Sequence, residues 1–251
     1  MSKGANPMMR APRWATGLGL AFAAAGCGGA ATSQHPLTNN LDPAYGNLKV
    51  VTLAALPFAS DIAEDEDPDK VAASMAESKF YPALNTGSGF TLLPASEVQR
   101  VLEQNKMSGD LKSFYKNWIA NQGDADADFL KRVSQLLKVD GVVAGAVDVW
   151  HQQPVDITQT GTARTTVGLL VGLFDGANGK RLWLGRDENF KEALRYTPND
   201  SNSELGRSQQ RGQMERSNLR TATGMYAPPD FPPVVDAVVA PLVMGFPKRA
   251  R

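Results

Sequence analysis

The sequence contains a single cysteine, Cys27, and only two histidines, His35 and His151, in 251 residues. No internal disulfide can form, so the fold must be held by its core, and a zinc site built from cysteine and histidine has no ligand set to draw on. There is no excess of either charge: Lys and Arg number 26, Asp and Glu 26. Net charge therefore gives no reason to expect nucleic acid as a partner. The chain has no G-x-x-x-x-G-K-[ST] loop, no G-x-G-x-x-G following a strand pattern and no G-x-S-x-G elbow, the glycine-dependent turns that seat phosphates, dinucleotides or a nucleophilic serine. After the first residues, no segment is long and apolar enough to cross a bilayer. Hydrophobic residues make up 42%, an ordinary share for a globular chain with a sizeable core.

What is present begins at the N-terminus. Lys3, Arg10 and Arg13 precede an uncharged run from Trp14 to Gly26, which ends in Ala24-Ala25-Gly26-Cys27. A basic region, a short apolar region and small residues at the exit have the form of a secretory leader, too short for a membrane-spanning helix. The small-small-Cys ending resembles the bacterial lipobox, with Ala24 where lipoproteins usually carry Leu. The resemblance implies acylation of the Cys27 sulfur and a mature chain that starts there; ordinary cleavage near Ala25, leaving Cys27 as a free thiol, is the alternative.

Beyond the leader the pattern predicts one α/β domain. Residues 28–48 are rich in Gly, Ala, Ser, Thr, Asn and Pro without periodicity and read as a flexible tether containing His35. Lys49 to Phe58 is an apolar, β-branched run that predicts a buried strand. An acidic loop leads into a helix from about Asp69 to Leu84, with Pro82 expected to kink or shorten it. Phe90 to Leu93 predicts a short strand, and Ser96 with Gln99 forms a capping-box pattern for the next helix. Leu111, Phe114, Tyr115, Trp118 and Ile119 recur at i, i+3, i+4, i+7, i+8, and residues 126–138 repeat the signal, predicting two further helices.

After Asp140-Gly141 the period changes from 3.6 to 2. Val143, Gly145, Val147 and Val149 alternate with Ala144, Ala146, Asp148 and Trp150. Thr165 to Phe174 is apolar or small on both faces, so it belongs inside a covered sheet, and Asp175-Gly-Ala-Asn-Gly179 predicts a hairpin turn into Lys180–Phe190. Thr197 to Ala222, with Arg207, Arg211, Arg216 and Arg220, reads as a loop or a solvated helix. Asp230 to Met244 reads as an apolar helix opened by Pro232-Pro233 and packed on the sheet.

This order, carried by Leu56-Pro57-Phe58, by Leu137-x-Val-Asp-Gly141 and by the hairpin Phe174-Asp175…Gly179-Lys180-Arg181-Leu182-Trp183, resembles the α/β domain of TolB N-terminal, CsgG-like and LpoB-like envelope lipoproteins. The hairpin departs from that pattern in having Asn178 at the usual Thr position. The resemblance covers about Lys49 to Asn189; the inserted aromatic helix near Phe114 and the tail after Thr197 depart from the compact TolB pattern. It implies an α/β (α+β) fold with a mixed sheet of about five strands flanked by helices. The division is a leader over residues 1–26, a tether over 27–48, the domain over 49–192, a polar loop or extension over 193–229 and a packing helix over 230–251.

Candidate chemistry is sparse. Asp124, Asp126 and Asp128 match the first calcium-loop positions, but Phe129 and Gln135 replace the required Gly and Glu, so helix capping is the expectation. Asp61, Glu64, Asp65, Glu66, Asp67 and Asp69 repel one another and predict an exposed loop able to meet a cation or a basic partner. Phe114, Tyr115 and Trp118 form an aromatic stripe that is either core or a partner-binding patch. His151 reads as a surface residue at a strand end. With no catalytic constellation, no metal site and no cofactor beyond a lipid on Cys27, the resemblance implies a non-enzymatic protein. It would be anchored to the periplasmic face of the outer membrane and serve as a binding or accessory subunit of an envelope assembly for secretion, cell-wall or surface-structure biogenesis. Gly28 after the cysteine, in place of Asp, favours the outer membrane. The alternative is an oligomeric, pore-forming secretion lipoprotein in which the strand pair 165–190 or the tail reaches into the membrane.

Overall fold

The computed structural model describes residues 35–121, 125–156, 162–193 and 225–249. Cys27, the leader, Asp124 and the 197–222 segment lie outside them. The described chain forms a seven-stranded mixed sheet with helices on both faces. Its core strands are β2 (Thr52–Ala55), β4 (Thr91–Leu93), β5 (Gly141–Gln153), β7 (Arg164–Asp175) and β8 (Arg181–Glu192). Two strands not foreseen, β1 (His35–Leu41) and the two-residue β3 (Ala59–Ser60), raise the number from five to seven. The order is β1-β8-β7-β5-β2-β4, with β3 also on β5. β2 runs parallel to both β4 and β5, and the β5-β7-β8-β1 half is antiparallel. A separate two-stranded pair joins β6 (Val155–Asp156) to β9 (Met225–Tyr226).

The strand pattern dictates the layers. Along β7, Val167, Leu169, Val171 and Leu173 join one core, and Leu170 and Phe174 the other, as successive side chains in a strand must alternate. The first core is closed by α1 (Ala72–Gly87) and by α5 (Pro232–Gly245), which lies on β7 and β8. The second is closed by α2 (Ala95–Gln104), α3 (Ser108–Ala120) and α4 (Ala127–Leu137). A bulge in β5 between Val147 and Val149 corrects the simple alternation. One extra residue flips every later side chain to the opposite face. Trp150 consequently joins Val143 and Val147 and stacks on Phe231 with centroids 3.8 Å apart.

The tether expectation is also corrected in part. Residues 35–41 add an edge strand to β8, with Leu41 opposite Trp183, and Pro43–Asn47 form a 3-10 turn. The indole N–H of Trp183 donates to Asn39 Oδ1 at 2.5 Å. A strand of Thr, Asn and Pro lacks apolar periodicity because it is exposed at an edge, where polar residues discourage further pairing. Pro82 does not end α1, which continues to Gly87 because Phe80, Tyr81 and Leu84 are buried around it. The Ser96–Gln99 capping box is not made: α2 starts at Ala95 after Pro94, with no side-chain cap. In α4, by contrast, Asp126 Oδ1 accepts the amides of Asp128 and Phe129, so Asp126 caps the helix.

The β7–β8 turn is drawn against α4. Gly179 has φ +71°, and a Cβ there would overlap the backbone of Ala127. Asp140 ties the start of β2 to the start of β5: its Oδ2 accepts the amides of Val51 at 2.9 Å and Thr52 at 2.8 Å and the Thr52 hydroxyl at 2.9 Å. Desolvation works to raise the Asp140 carboxyl, but these three donors outweigh it and hold its pKa below the ordinary 3.8. A depressed folded pKa contributes stability that is complete above the unfolded value and is lost as pH falls through the folded one. Asp140→Ala should therefore lower unfolding free energy by about 1–2 kcal/mol at neutral pH, discounted for its exposure. Urea melts should show the gap to the parent chain shrinking below pH 3.8; a gap independent of pH would refute this role.

Candidate functional site

The aromatic stripe of α3 is core, which corrects its reading as a partner surface. Phe114, Tyr115 and Trp118 are all buried. Phe114 and Trp118 stack with centroids 6.0 Å apart, and Phe129 and Phe174 close the cluster. The helix can lie so close to the sheet because β7 offers Gly172 beneath it: a Cβ there would come within 3.1 Å of the Trp118 ring. The Tyr115 hydroxyl donates to the Pro57 carbonyl at 2.5 Å, and burial pushes its pKa far up. Tyr81, from α1 on the other face, donates to the neighbouring Leu56 carbonyl at 2.5 Å, and burial raises its pKa in the same way. The two tyrosines thus fix the Leu56-Pro57-Phe58 segment from both sides. Gly145 of β5 completes the fit, since any Cβ there would overlap the Phe58 ring.

The acidic residues do not share one function. Asp67 is buried, and its carboxylate accepts the amides of Val71 at 2.9 Å and Ala72 at 3.0 Å, capping α1. Glu64 pairs with Lys70 at 3.1 Å. Glu66 meets His151 Nδ1 at 2.9 Å, tying the loop to β5. Asp65 is exposed. Acidic loop and aromatic stripe therefore do not converge, and among the described residues no group of three acid, histidine or cysteine side chains is placed to hold a metal ion.

Two open grooves lie among the described residues. One, of about 400 Å³, lies between α1 and the start of α2 and is lined by Glu77, Tyr81, Asn85 and Ser96. Two of its polar groups are engaged in the fold: Glu77 accepts the Phe58 amide at 2.9 Å, and Tyr81 is bound as described. The other, of about 350 Å³, lies beside Lys49, Ser134, Asp140 and Asp175. A surface feature that the sequence did not reveal is the exposure of Leu37 and Leu41 on β1 and of Met244 near the end of α5. The only signal for it was two leucines in a stretch read as tether.

No protein-family model matches the chain, and neither does any curated protein. Among solved structures it is similar to lipoprotein GNA1162 from Neisseria meningitidis at 19% identity, over 67% of this chain and 99% of that one, with a TM-score of 0.41. It is also similar to the PelC dodecamer from Paraburkholderia phytofirmans at 15% identity, over 85% and 97% of the two chains, with a TM-score of 0.41. The LpoB C-terminal domain from Salmonella enterica matches at 12% identity, over 59% and 86%, with a TM-score of 0.34.

The burial of the α3 cluster yields a direct test. Trp118→Ala should cost about 3–5 kcal/mol, the usual range for removing a large buried aromatic side chain. Trp118→Phe should cost less, because the buried indole N–H makes no hydrogen bond and is deleted with the ring. Thermal melts of the two variants decide the matter; an Ala variant as stable as the parent would return this helix to the surface.

Proposed function

We propose that the chain is a lipid-anchored protein of the bacterial envelope, fastened through Cys27 to the periplasmic face of the outer membrane, where it works as a non-enzymatic binding or accessory subunit. The observation that carries this reading is the leader: Lys3, Arg10 and Arg13, the uncharged run to Gly26 and then the sole cysteine. A diffusible exported protein gains nothing from an unpaired thiol, whereas an acylated one is held at the membrane by its buried CH₂ groups.

The domain's polar groups support a binding role over catalysis. Asp67, Asp140, Tyr81 and Tyr115 are each engaged in caps or backbone bonds that hold the fold. The pore-forming alternative finds no support in the β7–β8 hairpin. Val167, Leu169, Val171 and Leu173 on one face and Leu170 and Phe174 on the other are covered by helices instead of facing lipid. A lipid-facing barrel hairpin needs one face toward hydrocarbon and the other toward a lumen.

Expression in a bacterial host with signal-peptide cleavage intact tests the proposal. The mature N-terminus should be residue 27 carrying acyl mass, and the protein should sediment with outer membranes. Cys27→Ala should move it to the soluble periplasmic fraction with an unchanged thermal melt. An unacylated N-terminus elsewhere, or unaltered sedimentation of the variant, would remove the anchor.

A further inference from the structure

The chain is neutral overall, but among the described residues an acidic loop and a group of exposed basic and apolar side chains lie at opposite ends of the sheet. At one end lie the acidic loop, with Asp61, Glu64, Asp65 and Glu66, and the start of α1 at Val71. α1 runs 16 residues, about 24 Å, to the other end. There the Ser88 carbonyl accepts the Arg249 amide at 3.1 Å, and the Tyr45 hydroxyl donates to the Lys248 carbonyl at 2.9 Å. The C-terminal segment thus crosses the end of the sheet where β1 finishes and β2 begins. Lys49, Lys248 and Arg249 are exposed there and carry no ion pair among the described residues.

The acids at this end are engaged. Asp42 pairs with Lys180 at 2.6 Å, Asp140 is bound by the amides of β2, and Asp175 is buried and accepts the Ala177 amide. Toward the same end lie the end of β1 and the last turn of α5, and these two elements carry three of the five exposed large apolar side chains among the described residues: Leu41 at 47%, Met244 at 77% and Leu37. Leu37 and Leu41 share one face of β1, and a Cβ on Gly245 would sit 3.8 Å from Leu37, so strand edge and helix end form one corner.

We propose that this corner rests on an anionic lipid surface. Leu41 and Met244 enter the headgroup boundary while Lys248, Arg249 and Lys49 meet the phosphates, and the acidic loop points away. The pairing of apolar side chains with basic neighbours is what such a surface recruits. The proposal rests on the Cys27 anchor and adds to it an orientation. Seven residues separate Cys27 from His35, eight Cα steps that can span at most about 28 Å, so the chain length keeps the seven-residue edge strand within reach of the bilayer.

Because acylation would block Cys27, Leu41→Cys and Val71→Cys each supply one thiol for an environment-sensitive dye on the full-length lipidated protein. In vesicles of phosphatidylglycerol and phosphatidylcholine, the dye at residue 41 should shift to the blue and be quenched several-fold more by brominated lipid than the dye at residue 71. The double change Lys248→Glu, Arg249→Glu should erase that difference while co-sedimentation persists. Co-sedimentation with equal, water-like signals at both positions would overturn the orientation and leave the anchor standing. Lipid quenching at residue 41 that is the same in pure phosphatidylcholine would also overturn it, and a blue shift there without lipid quenching would overturn it by assigning the corner to a second copy of the chain. Failure to co-sediment at all would overturn anchor and orientation together.

Discussion

The architecture follows from β7 and its neighbours being apolar on both faces. Once Val167 to Leu173 on one side and Leu170 and Phe174 on the other must leave water, a single layer of helices is not enough. The chain meets this with crossovers to opposite sides. α1, between β2 and β4, and the terminal α5 shield one face; the three helices between β4 and β5 shield the other. Each remaining feature accommodates that sandwich. Glycines 145 and 172 let rings lie against the strands, the β5 bulge returns Trp150 to the side where Phe231 waits, and two tyrosine hydroxyls clamp the Leu56–Phe58 segment between the layers.

Much of this was legible in the residues. A 3.6-residue period marked α3 and α4, a two-residue period marked β5, and continuous apolarity marked β7 as doubly covered. Three things were not. β1 is stabilised by backbone pairing with β8 and by one Asn39–Trp183 bond, neither of which leaves apolar periodicity. The β5 bulge adds a residue without altering composition, so alternation counted straight through it puts Trp150 on the wrong face. Pro82 carries a strong helix-breaking preference that the burial of Phe80, Tyr81 and Leu84 overrides.

The candidate site was legible in a different sense. Cys27 stands out because its surroundings are a local pattern, independent of folding. The aromatic and acidic clusters were visible as clusters, but their roles depend on what lies opposite. Phe114 and Trp118 face Gly172 across the core, and Asp67 reaches the free amides of α1. Sequence spacing cannot report such partners, because they come from other elements.

The pairing of Ala163 with Ala193 and of β6 with β9, the stacking of Trp150 on Phe231 and the hold of Gln152 and Thr165 on the Pro229 carbonyl all occur at one rim of the sheet. They pin both entry and exit of residues 194–224 side by side. A change in the length or charge of the chain between these two points would therefore leave the rungs of the ladder in place.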